Sequence, residues 1–373
     1  MKKTFFKSLM IAALIVPTFT ACELDQYPTT SIPGEKSWEK PSDATNFHKG
    51  LYSTLRSLAG TGYLWGDIMM DYFQPTISYG NRGGLLYTWT YSANDVGGPW
   101  SSGYSAISDC NYYLTNVDKI DYSKSTDRAT DSILLRQYKG EAYFIRAVAY
   151  SNIVSYYCRT YDAGTAATTR GLPLLTKVDV SAKPRSANLK ATYEFILNDL
   201  KMADDLLQAD GPDEDAAVGV LINKTMTKAL RARVLLNMGD YTNALAEAEA
   251  LINSGHFALA NSANALKDMW INDQGSEFIY VPAGTPDERY EYGTSTNGNN
   301  FHAYSTAAGA FSPDWIPSKA TVEMYSTNDW RMKIYLDPKD VKCQDQKASN
   351  VALFNKFLNN PNLGKKGDSK YAQ

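Results

Sequence analysis

Residues 223–254, NKTMTKALRARVLLNMGDYTNALAEAEALINS, decide the architecture. They read as two helices joined by Met238-Gly239-Asp240-Tyr241. Ala229, Ala232, Ala244 and Ala248 place small side chains where the two helices must approach closely. Gly239 sits at the turn, where a Cβ would strain the backbone. One such pair cannot bury its apolar face alone, so neighbouring helices must stack on it.

The stacking partners lie upstream. Over 134–157, Leu134, Tyr138, Ala142, Ile145, Ala149 and Ile153 form one stripe at helical spacing. Gly164 and Gly171-Leu172-Pro173 interrupt it. Residues 188–209 then restore it with Leu189, Tyr193, Ile196, Leu200, Ala203 and Leu207. A first helix is expected over 42–58, capped by Ser42 or Asp43, with Phe47, Leu51, Leu55 and Leu58 recurring along it. Another covers 104–117. The run E-F-I-Y-V-P from Glu277 to Pro282 reads as a short strand. The expected fold is therefore mainly α: a tetratricopeptide-like helical stack with long irregular loops and a few short strands. Two stretches have no period. Residues 59–103 are Gly-rich and aromatic, and 283–313 are rich in Gly, Asn, Thr and Tyr. Loops of that length inside a domain are usually functional or mobile. The acidic segment 210–215 lacks the alternating oxygen ligands and sharp Gly of a calcium loop, so it reads as a solvated turn.

The amino terminus carries an address. Lys2, Lys3 and Lys7 precede an apolar run from Leu9 to Val16, then Pro17, small residues and Cys22. That is a secretory signal, and the run is too short for the roughly 20 residues a bilayer crossing needs. Cys22 directly after Phe19-Thr20-Ala21 resembles the bacterial lipobox, in which the Cys becomes the lipid-bearing first residue. Glu23 and Asp25 resemble the surface-export signal of Bacteroidetes lipoproteins. The expected organisation is a signal peptide over 1–21, a lipidated tether over 22–40 and one helical domain over 41–373.

Composition narrows the functions. The chain has 373 residues, a formal net charge of −3 and 44% hydrophobic residues. That suits a globular protein and gives no basic footprint for nucleic acid. Cys110, Cys158 and Cys343 form an odd set, read as buried free thiols, with one disulfide permitted by an exported compartment. The 26 tyrosines and 7 tryptophans offer flat apolar faces with a polar handle, suited to sugars and peptides. No Gly-x-Ser-x-Gly, His-Glu-x-x-His or phosphate-binding Gly-Lys-Ser/Thr occurs. His48, His256 and His302 are scattered without metal spacing and read as solvent-exposed. The expectation is a protein with no enzymatic role, no metal and no cofactor. A glycoside hydrolase, which needs only two close carboxylates, and a non-binding tetratricopeptide scaffold lipoprotein are the rivals.

In their order along the chain, several motifs resemble the SusD/RagB family. They are Trp100-x3-Tyr104-x2-Ile107-x3-Asn111, Glu141-Ala142-x-Phe144-x-Arg146-Ala147-x2-Tyr150 and Gly171-Leu172-Pro173-Leu174. Tyr193-x2-Ile196-x2-Asp199-Leu200-x2-Ala203 and Lys228-Ala229-x-Arg231-Ala232-Arg233-x-Leu235-Leu236 follow. The chain departs from the family at Tyr157-Cys158, where a Gly is usual after an aromatic. It also ends early, reading as a C-terminally shortened form. The resemblance implies an outer-membrane, cell-surface lipoprotein that binds oligosaccharide or peptide nutrients. Its partner would be a SusC-like TonB-dependent transporter. The ligand site is expected in the aperiodic segments, which carry no packing duty. The first supplies Asp71, Phe73, Tyr79, Asn81 and Arg82; the second, over 290–311, supplies Tyr290, Tyr292 and Phe311. Aromatic plates beside amide, carboxylate or guanidinium groups are what sugar recognition requires. Glu141 and Arg146, five apart and so on different faces, are read as scaffold residues pairing with other helices. Trp100, Tyr104 and Asn111 are also read as scaffold, with Trp100 buried under the 104–117 helix.

Overall fold

The computed structural model describes residues 37–60, 62, 64–76, 84–208, 221–281, 304–305, 309–343 and 346–356. Cys22, Tyr79, Asn81, Arg82, the 210–215 turn, Tyr290, Tyr292 and His302 lie outside them.

The helices form where the apolar stripes and caps put them. Helix α1 (Pro41–Gly60) buries Leu51, Leu55 and Leu58, and the Asp43 carboxylate accepts the Glu39 and Lys40 amides. Two short helices follow, α2 (Trp65–Met69) and α3 (Gly84–Tyr87). Helix α4 (Gly98–Asn116) starts six residues earlier than expected. Pro99 explains this, because a first-turn proline lacks only an N–H that has no helical partner there. Helix α5 (Arg128–Tyr157) runs for 30 residues from an Asp127 cap that accepts the Thr130 amide, a strut of about 45 Å at 1.5 Å per residue. Helix α6 (Leu189–Leu206) is capped by Asn188. Helices α7 (Lys224–Asn237) and α8 (Tyr241–Asn253) form the expected hairpin, with Asn223 and Asp240 as caps. Gly239 at its turn has φ +72°. Among the described residues, helices α9 (Ala263–Ile271), α10 (Lys319–Glu323) and α11 (Trp330–Tyr335) follow.

Helices α1, α4, α5 and α6 share the main core, whose largest fully buried side chains include Tyr113, Tyr150, Ile107 and Ile196. Helix α7 stacks on α6, and α8 on α7. Two buried polar groups pin α5. Arg146 donates Nε and Nη2 to the two Asp199 oxygens, both at 2.7 Å, and Nη1 to Asn111 Oδ1 at 2.6 Å. Its guanidinium also lies 5.1 Å from the Phe195 ring centroid. Five residues earlier on α5, Glu141 meets His48 Nε2 at 2.7 Å and accepts from Tyr52 at 2.6 Å. Both acids are essentially inaccessible. Arg146 and Glu141 thus pair with other helices, as the sequence implied.

His48 corrects the expectation of exposure: it is 5% exposed and its ring stacks 3.5 Å from Tyr138. It sits one turn from Ala44 and Leu51, on the face that α1 turns to α5, and Glu141 satisfies it. His256 is exposed, as expected. The 277–281 part of the expected strand is irregular, because Ile279 and Tyr280 pack on the helical core instead of pairing with a strand. All three described cysteines are free; Cys110 is buried, while Cys158 and Cys343 are half-buried.

Short strands join residues 73–75 to the described part of the chain after 304. Strand β1 (Phe73–Pro75) pairs antiparallel with β4 (Trp315–Pro317), with Gln74 opposite Ile316. A second sheet has the order β2 (Tyr304–Ser305), β3 (Ala310–Phe311), β5 (Leu336–Cys343) and β6 (Gln346–Phe354). Strands β3 and β5 are parallel, whereas β5 and β6 form an antiparallel hairpin with an irregularity between Lys339 and Val341. Among the described residues, no helix is long and apolar enough to cross a membrane.

Candidate functional site

The β1–β4 ladder brings the first aperiodic stretch against the end of the second. Thr76 Oγ1 donates to the Pro313 carbonyl at 2.6 Å. The Tyr72 carbonyl accepts the Ser318 amide at 3.0 Å and Thr321 Oγ1 at 2.8 Å. These bonds fix the backbone around a small apolar cluster of Ile68, Phe73, Leu86 and Trp315. Beside it opens a cleft of about 330 Å³, walled by Tyr72, Phe73, Met324, Tyr325 and Phe354, with Asp67, Thr321 and Arg331 as its polar groups.

The groups in this cleft match the demands of a sugar. Phe73 is itself almost buried and meets Phe354 edge-on, with centroids 5.1 Å apart. Tyr72 and Tyr325 are half-buried, so their rings combine packing with access. Asp329 holds Arg331 in a fork: Nε to Oδ1 at 3.0 Å and Nη2 to Oδ2 at 2.7 Å. The same guanidinium lies 5.6 Å from the Tyr325 centroid, which fixes a planar donor beside an aromatic face. Burial pushes the Asp67 carboxyl above its ordinary range. Such a mixture of rings with a carboxyl, a hydroxyl and a guanidinium can grip the two faces and the hydroxyls of a pyranose. Among the described residues, no three His, Cys, Asp or Glu side chains are grouped to hold a metal ion.

The expected site residues are distributed unevenly. Phe73 lines the cleft. Asp71 is exposed in left-handed backbone, φ 58°, immediately before Tyr72 and outside the lining. Phe311 lies on β3 in a separate apolar cluster with Ile316, Val341 and Leu353, its ring 5.2 Å from Tyr304. Tyr79, Asn81, Arg82, Tyr290 and Tyr292 are outside the described residues. Sequence reasoning missed Tyr72, Thr321, Tyr325, Arg331 and Phe354. The Asp329-x-Arg331 pair was the one readable signal, a guanidinium held in sequence neighbourhood by its own carboxylate.

Trp100 corrects a further expectation. It is 38% exposed rather than buried. Because α4 begins at Gly98, Trp100 occupies the helix's first turn, at its open end. Tyr104 and Asn111 do serve the scaffold: Tyr104 OH donates to the Pro173 carbonyl and Asn111 Nδ2 to that of Leu175.

Residues 61–236 match the SusD-like_3 family, described as starch-binding associating with outer membrane. A SusD-like protein of Formosa agariphila is 26% identical over 291 residues, covering 74% of this chain and 51% of the relative. The chain thus spans about half the length of that curated relative. A SusD superfamily protein from Bacteroides thetaiotaomicron superposes with a TM-score of 0.68 at 20% identity, over 88% of this chain and 72% of the other. A SusD-like carbohydrate binding protein from Bacteroides vulgatus gives 0.64 at 18% identity, over 88% and 68%.

Proposed function

We propose, from its similarity to the SusD-like family, that the chain binds oligosaccharide at the cleft between β1 and α10 without chemical turnover. The observation that supports this reading is the wall of Tyr72, Phe73, Tyr325 and Phe354 with Arg331 fixed at its edge. The sequence also proposes Asp71, Tyr79, Asn81, Arg82, Tyr290, Tyr292 and Phe311 as ligand contacts. Delivery to a SusC-like TonB-dependent transporter, and anchoring to the outer surface through a lipid on Cys22, complete the proposal. Both rest on the family resemblance and the amino-terminal signal.

Calorimetry on a panel of neutral oligosaccharides tests the site. A stacked ring is worth about 0.5–1.5 kcal/mol beyond its buried area, and about 1.4 kcal/mol is tenfold in affinity. Tyr325→Ala and Arg331→Ala should each lose at least about tenfold in affinity at unchanged melting temperature. If both bind as the parent does, the cleft is not the site. Release of shortened products on long incubation, abolished by Asp67→Asn, would instead favour a glycosidase. For the anchor, Cys22→Ala should leave the outer-membrane fraction and become soluble.

A further inference from the structure

We propose a second saccharide subsite, selective for acidic sugars, in the cleft between the start of α4 and the end of α5. Its position is separate from the first: the two clefts share no lining residue. The inference takes the ligand's class, carbohydrate, from the reading above, but neither its location nor its charge preference depends on the first cleft.

The cleft encloses about 520 Å³ and is walled by Trp100, Cys158, Arg159, Thr168, Arg170 and Ser186. That volume falls within the usual range for a small-molecule site. The Trp100 indole is held from behind. It packs on Tyr104 at 4.8 Å and meets Tyr157 edge-on at 5.3 Å. The Trp100 amide donates to the Tyr157 hydroxyl at 3.1 Å, and that hydroxyl donates in turn to the Val96 carbonyl. An aromatic ring fixed on one side and exposed on the other is a ready plate for the apolar face of a sugar.

The opposite wall is equally set. The Gly171 amide donates to the Ala187 carbonyl at 2.8 Å, Ala187 to Leu172 at 2.9 Å, and Leu189 to Thr169 at 2.8 Å. Gly171 makes this approach possible, because a Cβ there would lie 2.2 Å from Thr192 Oγ1 and 2.6 Å from the Asn188 carbonyl oxygen. Arg170 is carried on this ladder opposite Asn188 and donates Nε to Ser186 Oγ at 3.2 Å. Arg159 is the second residue past the end of α5, next to the Cys158 cap. No Asp or Glu is among the lining residues. Burial also raises the Cys158 thiol, with Arg170 pulling the other way, so it adds no negative charge at neutral pH. Two guanidinium groups therefore face this space uncompensated from within it. Guanidinium matches the planar oxygens of a carboxylate or sulfate ester better than an ammonium does. Ser186 and Thr168 supply hydroxyls for the neutral sugar oxygens.

Calorimetry with trigalacturonate, its methyl ester and inorganic sulfate tests the assignment, with triglutamate as the peptide arm. Trigalacturonate should bind the parent, weaken as salt is raised, and outcompete its ester at least tenfold. Arg159→Ala and Arg170→Ala should each reduce its affinity at least tenfold, Arg170→Lys should restore only part, and Ile252→Ala, an exposed change on α8 outside both clefts, should leave it unchanged. Thermal melts of the arginine variants, expected to match the parent, separate loss of binding from loss of fold. Absence of binding by the parent, or arginine variants that bind as tightly as the parent, would overturn the proposal. So would sulfate or triglutamate binding as well as trigalacturonate, since the saccharide and its aromatic plate would then be irrelevant. Failure of the first cleft would show instead as neutral oligosaccharides insensitive to Tyr325→Ala.

Discussion

Arg146 and Asp199 exchange two charge-assisted bonds inside the main core, where neither has water to fall back on. Arg146→Ala would leave a buried carboxylate uncompensated, a loss of about 3–5 kcal/mol. Replacing both partners, Arg146→Met with Asp199→Leu, should be milder than either single change, because no charge is then stranded. Chemical denaturation of the single and double variants measures this. Lys356 presents the converse case. Its ammonium sits 3.4 Å from the Trp270 centroid and 4.9 Å from that of Tyr335, and burial pushes it from 10.5 down to about 8. Between those values the unfolded chain holds more protons than the folded one, so this group makes stability climb as pH rises. Below pH 8 the whole burial cost applies, at most about 3 kcal/mol since one pK unit is about 1.4 kcal/mol, and the two rings offset part of it. The stability advantage of Lys356→Met over the parent should therefore be largest at pH 7 and shrink from pH 8 to 9.5. An advantage independent of pH would mean that the ammonium is not destabilised.

Glycines test the elements. An added Cβ at Gly239 meets nothing within 4 Å, so only its φ of +72° opposes a side chain. Gly239→Ala should cost about 1–2 kcal/mol, and Gly239→Asn less, because Asn tolerates that region. Gly171→Ala should cost about 1–3 kcal/mol or more, because a backbone carbonyl must move. Melting curves of the three variants give the order. The same elements show what could be read from sequence alone. The 134–157, 188–209 and 223–254 helices were legible because each carries a long stripe that its neighbours bury. Strand β5 was not: Asp337, Pro338, Lys339 and Asp340 are poor strand formers, and the strand exists because β6 pairs with it and because Leu336 and Val341 are buried. Phe73 was legible as an aromatic in a stretch without a packing period. Tyr325, Arg331 and Phe354 were not, since only tertiary pairing carries them to Phe73. His48 was misread for the same reason, its partner lying 93 residues away.

At the scale of the molecule, the two clefts differ in how the chain closes them. The Trp100 cleft draws its lining from residues 100–186: the start of α4, the end of α5 and the connection that leads to α6. The Phe73 cleft depends on β1 meeting β4, an approach that spans 237 residues at the Thr76–Pro313 bond. Linking distant segments costs more chain entropy than linking near ones, and contacts of high sequence separation slow folding. Refolding should therefore be staged. In pulse-labelling hydrogen exchange, amides of α5 and α6 should become protected before those of β1 and β4. Simultaneous protection of both sets would mean a single cooperative step. The β1–β4 ladder is in this sense a clasp that fastens only when the late part of the chain is present. During vectorial synthesis, the arginine-lined cleft could be competent for its ligand while the Phe73 cleft does not yet exist.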